Sequence, residues 1–191
     1  MIGPLGPPAY DGRMTDPSDF LSLLTAQVRN EFSASQQYIA LAAWFDSHDL
    51  PQLAGHFYRQ SVEERNHAMM IVRWMLDRDL AVAIPGIDPV RNDFSSVAEP
   101  IALALEQEKT VTEQIKTLFA TARAEGDFLG EQFMLWFLKE QVEEVASMTT
   151  LLTIAERAGD DWFEIETYLA REVVGDAGAD VSAPAAAGGA L

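Results

Sequence analysis

Cysteine is absent from all 191 residues. That excludes disulfides and any Cys-ligated zinc or iron–sulfur site, and it suits a reducing compartment, so a cytoplasmic location is expected. No apolar run approaches the roughly 18 residues needed to span a membrane. The opening stretch, MIGPLGPPAYDGRM, has neither the basic nor the apolar region of a secretory signal. Basic residues are also scarce: 13 Lys and Arg against 30 Asp and Glu, a formal net charge of −17. That balance argues against nucleic acid or a membrane as partner and for metal cations, although acidity by itself is too common to decide the matter.

Aromatic and aliphatic residues are not scarce. With 48% hydrophobic residues the chain can bury a sizeable core, and its length fits one domain with short appendages. The ends have a different composition. Residues 1–16 are rich in Gly and Pro, and 173–191, which closes in GDAGADVSAPAAAGGAL, is rich in Ala and Gly. Both are expected to be mobile tails flanking a domain over 17–172.

Inside that domain the apolar residues recur with a helical period. The pattern predicts long helices over 17–46, 50–78, 97–124 and 127–158, then a short amphipathic one over 160–172. Asp49, followed by Pro51 and Gln52, reads as a helix start. Ser96 and Glu99 read as a capping box, and Glu125-Gly126-Asp127 as a helix stop joined to a new cap. The first and third connections are short, so they make antiparallel hairpins. The second, of about 18 residues, can reach some 60 Å at ~3.3 Å each. That exceeds the ~42 Å of a 28-residue helix. The expected fold is therefore all-α: a four-helix bundle with one long crossover and a short fifth helix.

Each helix carries a carboxylate where its apolar stripe should be unbroken. The stripes read Phe20, Leu24, Val28, Glu31, Ser35, Tyr38; Leu53, Phe57, Gln60, Glu64, His67, Ile71, Trp74; Ile101, Leu105, Glu108, Thr112, Ile115, Phe119; and Met134, Phe137, Gln141, Glu144, Met148, Leu151. The interruptions fall near the middle of each helix, and the midpoints of packed antiparallel helices meet at one depth. Four carboxylates in an apolar core are costly unless compensated, and these stripes hold no Lys or Arg at that depth. Two metal cations are the simplest compensation, and carboxylates with one imidazole suit iron or manganese. Glu64 and His67, three apart on one helix, point the same way and can share an ion. The competing reading, for any one Glu, is a solvated edge of the stripe. Glu106 and Glu113 fall off it and are expected in solvent. His56 lies some 16 Å along the helix from His67, too far for the same ion. Trp44, Trp74, Trp136 and the Met69-Met70 pair read as core or subunit contacts.

The segments NEFSASQQY (30–38), VEERNHAMM (62–70), LEQEKTVTEQI (105–115) and FLKEQVEEVA (137–146) together resemble those of a bacterial non-haem ferritin of the actinobacterial kind. The resemblance implies iron storage with ferroxidase activity, in which Fe²⁺ is oxidised by O₂ or H₂O₂ and ferric mineral is stored in a hollow homo-oligomeric shell of about 24 subunits. It implies that Glu31, Glu64 and His67 hold one iron and Glu64, Glu108 and Glu144 a second, with Glu64 bridging. Gln141 stands beside the second iron, and Tyr38 takes the position of the tyrosine next to the di-iron centre. It further implies a weaker third metal position at Glu63, Glu140 and Glu143 with Glu144 shared. The residues alone leave these three glutamates equally readable as a solvated flank. The fourth helix has Gln141 where many di-iron proteins of this architecture keep a second His, which favours the ferritin branch. Bacterioferritins ligate haem with a Met directly after the second-helix Glu. Arg65 stands there, so no haem is expected. Two rivals remain at this level: a rubrerythrin-like peroxidase, disfavoured because such enzymes usually carry a Cys-rich module, and a metal-free structural bundle.

Overall fold

A computed structural model describes residues 19–172 and 182–191. The expected N-terminal tail, 1–16, lies outside the described residues, as does 173–181. The described chain forms α1 (Asp19–Asp46), α2 (Pro51–Asp77), α3 (Ala98–Glu125), α4 (Phe128–Ala158) and α5 (Trp162–Glu172). This is the expected four-helix bundle with a short fifth helix.

Contacts between distant residues fix the directions. Ser35 Oγ donates to Ser61 O, Phe20 packs on Trp74 and Tyr38 on Phe57, so α1 and α2 are antiparallel. Phe20 N–H meets Glu125 Oε1 at 3.0 Å while Tyr38 meets Glu108, which makes α1 and α3 antiparallel. Trp74 stacks on Phe133 at 4.8 Å and His67 meets Phe137 at 5.8 Å, which does the same for α2 and α4. It follows that α2 and α3 run parallel, as a full-length crossover demands. The crossover is held on α1 by a pair of bonds at 2.8 Å each, in which the Gln37 side chain donates to Arg91 O and accepts from Arg91 N–H. An Arg29–Asp88 ion pair joins it.

The helix ends follow local chemistry with two corrections. Gly126 is left-handed at φ 73°, and Asp127 accepts from Gly130 N–H at 3.0 Å, so the third turn is built as the sequence indicates. A Cβ on Gly130 would lie 2.6 Å from the Phe20 ring, so only glycine lets α4 begin against α1. At α2, however, Asp49 does not cap. It sits at φ 58°, and Leu50 is the cap residue with no side-chain bond. The exposed N–H groups of Gln52 and Leu53 are instead taken by the Glu166 carboxylate of α5, each at 2.9 Å. A carboxylate from a distant helix thus does what Asp49 was expected to do, aided by the positive end of the helix dipole. At α3, Glu99 reaches back to Ser95 N–H at 2.7 Å and its hydroxyl at 2.8 Å, one residue before the Ser96 of the expected box.

The core is two apolar clusters. One holds Tyr38, Leu41, Phe45, Leu53, Phe57, Ile101, Leu105 and Met148. The other holds Phe20, Leu24, Val28, Ile71, Met75, Ile115, Met134 and Phe137. Along every helix the two sets are separated by the carboxylate-bearing turn. Ile165 and Leu169 of α5 complete the first cluster, whereas Trp162 and Phe163 are exposed. The last ten residues do not behave as the mobile tail their composition suggests. Ala183, Ala186 and Ala187 pack on the second cluster, Ala187 N–H donates to Met69 O, and Leu191 N–H donates to Asn66 Oδ1.

Candidate metal centre

Between the two clusters lies a polar layer made of α1–α4 at mid-height. Glu31, Glu64 and Glu108 are each 1% exposed and His67 2%, which excludes the solvated-edge reading for these four. Gln141 and Glu144 are also buried. Glu31, Glu64 and His67 each offer a ligand atom, and these atoms lie within 4.8 Å of one another. His67 Nδ1 is 3.5 Å from Glu64 Oε2, too long for a good hydrogen bond but suited to a shared ion between them. Glu31 Oε2 and Glu64 Oε2 are buried with no hydrogen-bond partner. Buried acceptors of this kind require an explanation, such as an ion.

The remaining expected residues close the layer. Tyr38, fully buried, donates a short hydrogen bond to Glu108 Oε1. Gln141 Nε2 reaches the other Glu108 oxygen at 3.4 Å, and the Thr112 hydroxyl lies 2.9 Å from Gln141 Oε1 and fixes which way that amide faces. Sequence reasoning placed Thr112 on the stripe without a role. It also missed Gln27, which is buried one turn before Glu31 and donates to its Oε1 at 2.8 Å. An amide one helical turn from a buried carboxylate is the signal that could have found it.

Electrostatics shows how closely the carboxylates crowd. Burial, then Glu108, then Glu31 push the Glu64 carboxyl well above the usual range. Burial, then Glu63, Glu108 and Glu140 do the same to Glu144. Burial lifts Glu108 to about 7, although the hydrogen bond from Tyr38 pulls the other way. Tyr38 is itself pushed up by burial and by Glu108. In the metal-free chain burial and mutual repulsion thus favour the protonated forms of these carboxyls, and a cation entering the layer opposes that tendency.

A second set lies outside the first. Glu63, His67 and Glu140 also offer ligand atoms within 4.8 Å of one another, with His67 common to both sets. Glu143 does not join it: Glu143 is exposed and lies 3.6 Å from Lys139 Nζ. His56 is remote, packed edge-on against Phe57, and held down to about 4 by burial and by Arg59. Glu106 and Glu113 are exposed, with Glu113 paired to Lys116.

Fold and site together define a four-helix bundle with a buried layer of carboxylates and one imidazole, a candidate metal centre. A model of the ferritin-like domain matches residues 21–158, and the chain belongs to the ferritin family of iron-storage proteins. It is 64% identical over 172 residues to ferritin BfrB of Mycolicibacterium smegmatis, covering 90% of this chain and 94% of that one. It is 60% identical over 182 residues to a Mycobacterium tuberculosis protein named in different strains ferritin BfrB or bacterioferritin BfrB, covering 95% and 98%. Among solved structures, the open-pore ferritin of Archaeoglobus fulgidus superposes with a TM-score of 0.78 at 25% identity, over 82% of this chain and 97% of that one. Among the described residues, no helix is long and apolar enough to cross a membrane.

Proposed function

We propose that the protein is a ferroxidase that oxidises Fe²⁺ in the buried layer of each subunit and stores the ferric product as mineral inside a hollow shell of about 24 copies. The observation that carries this is the convergence of Glu31, Glu64 and His67 within 4.8 Å, buried, with carboxylate oxygens left unpartnered. Glu31, Glu64 and His67 hold one Fe²⁺, and Glu64, Glu108 and Glu144 hold the other. Each Fe²⁺ gives up one electron. O₂ takes two electrons and two protons to become H₂O₂, or H₂O₂ takes the same to become water. Tyr38 orients Glu108 through its hydroxyl, and Gln141, held by Thr112, orients the other oxygen of the same carboxylate. Oxygen-rich ligation by groups that take their protons back at modest cost suits a substrate that must leave.

Glu63 and Glu140, with His67, form the next station on the way out, filled after the inner pair. Glu143 has no ligand part in it. The shell reading is supported by large apolar side chains left in solvent, among them Phe128, Leu135, Val142 and Phe163. Arg65, in place of a methionine, supports a haem-free protein despite the bacterioferritin name of one relative. A cytoplasmic location accords with the absence of cysteine.

The test is Glu64→Ala combined with His67→Ala. It removes two of the three ligands that converge and takes two polar groups out of the core, so the metal-free bundle should stay folded, which far-UV circular dichroism checks. Stopped-flow absorbance after mixing with Fe²⁺ and air should show the rapid phase lost while slow mineral growth persists. Wild-type kinetics in this variant would place the oxidation elsewhere.

A further inference from the structure

The two oxygens of Glu31 have different surroundings. Oε1 accepts from Gln27 Nε2 at 2.8 Å, whereas Oε2 is buried with no partner. Glu108, by contrast, is held at both oxygens, by Tyr38 and by Gln141. Gln27 is 1% exposed, so bulk water does not compete for its hydrogens. Its orientation is set from the other end, where Gln27 Oε1 accepts from Asn30 Nδ2 at 3.3 Å. Reversing the amide would set oxygen against the Glu31 carboxylate and NH₂ against the NH₂ of Asn30. Gln27 and Glu31 lie one turn apart on α1, so the contact is local to a single helix and exists before any cation arrives. A glutamate carboxylate turns easily, because its last torsion is broad and two-fold. Unheld, Glu31 could give a cation either oxygen or both. The amide removes that freedom: it fixes the carboxylate at Oε1 and draws charge from that oxygen through a charge-assisted bond. Oε2 is left as the free donor for the set with Glu64 and His67.

We propose that Gln27 is a positioning residue that makes Glu31 a one-oxygen ligand, so that the ion held by Glu31, Glu64 and His67 keeps a coordination position open for the oxidant. The proposal rests on the reading that this layer oxidises Fe²⁺. An ion that receives both oxygens of Glu31 is held no less firmly but is more fully enclosed, and a metal without an open position is the slower to react. A buried amide with a structural part alone would affect folding, or would weaken the ion and leave the reaction of the bound ion unchanged. The positioning role does the opposite, sparing affinity and slowing reaction.

The test compares wild type with Gln27→Leu in the assembled protein. Crystals soaked anaerobically with Co²⁺ should show Glu31 binding through one oxygen in the wild type and through both in the variant. Anaerobic calorimetry with Co²⁺ should give a dissociation constant for the first ion within threefold of the wild type. Stopped-flow absorbance with Fe²⁺ and air, at Fe²⁺ concentrations that saturate the layer, should show the rapid phase slowed at least tenfold. Should Gln27→Leu not assemble, Gln27→Met, which keeps the length and removes the amide, carries the same expectations. Glu31 bound through one oxygen in the variant overturns the proposal. So does a first ion weakened tenfold or more together with a wild-type rate at saturation, which would leave Gln27 as a support for folding and binding only. A wild type in which Co²⁺ does not lie between Glu31, Glu64 and His67 overturns instead the reading on which the proposal rests.

Discussion

Replacing Glu108 by Gln should stabilise the metal-free protein at alkaline pH while impairing its handling of iron. Burial raises the Glu108 carboxyl from 4.5 to about 7. One pKa unit is about 1.4 kcal/mol, so ionised Glu108 costs the fold about 3 kcal/mol. The group binds its proton more tightly folded than unfolded. Its penalty is therefore absent below about pH 4.5, grows across the window up to about 7, and is complete above it. Glutamine has the same shape, can still accept from Tyr38 and carries no charge to bury; its NH₂ replaces the oxygen that accepts from Gln141 Nε2, a loss that does not depend on pH. The variant should exceed the wild type slightly at pH 5 and by more at pH 8, where the gain reaches roughly 6–12 °C in Tm at ~2–4 °C per kcal/mol for a chain of this size. Differential scanning calorimetry of both metal-free proteins at the two pH values reads this directly. Fe²⁺ binding at the second position should fall in parallel, since an amide lacks the charge of a carboxylate. A variant equally shifted at pH 5 and pH 8, or less stable at pH 8, would refute the view that Glu108 is kept at the expense of stability.

Two other perturbations test separate parts of the molecule. Glu166→Ala leaves the N–H groups of Gln52 and Leu53 without their acceptor, and loss of a cap of this kind costs about 1 kcal/mol; thermal unfolding should show Tm lowered, with Glu166→Gln recovering part of it, and an unchanged Tm in the alanine variant would deny the contact any role. Glu140→Ala should leave oxidation of the first two Fe²⁺ per subunit fast but slow later additions, while Glu143→Ala should not, because only Glu140 lies with Glu63 and His67; oxygen uptake over repeated iron additions separates them, and equal behaviour of the two variants would return Glu140 to the solvated flank.

The inner layer is legible in the sequence for a simple reason. Glu31, Glu64, Glu108 and Glu144 occupy positions that the helical period assigns to the core, and no basic residue compensates them. The bundle is legible because its stripes are long and its loops differ clearly in length. What sequence could not give depends on contacts between residues far apart in the chain. Asp49 has the composition of a cap, yet the N–H groups are taken by Glu166, whose position is set only once α5 has packed. Ser95 replaces Ser96 by a shift of one residue, which local pattern does not resolve. Gln60 reads as a neutral stripe residue and Gln27 falls off the stripe, because an amide acquires its role from the carboxylate it meets. Glu143 and Glu140 are three apart and chemically alike, so spacing alone did not separate the one that turns toward Glu63 from the one that turns to Lys139. The Ala- and Gly-rich end carries no period at all, and its docking through backbone N–H groups on Met69 and Asn66 leaves no mark in side-chain pattern.

The central claim is that Fe²⁺ held by buried carboxylates is oxidised by O₂ or H₂O₂ and that the product is stored and not retained. Aerobic loading of the assembled protein with excess Fe²⁺, followed by iron analysis per subunit and particle mass by light scattering, tests it most directly. The account predicts many irons per subunit, far beyond the two or three that the ligand sets can hold, in particles of about 24 copies. Iron that saturates at two or three per subunit, or a particle no larger than a dimer, would contradict it and point to a bundle that keeps its metals for catalysis.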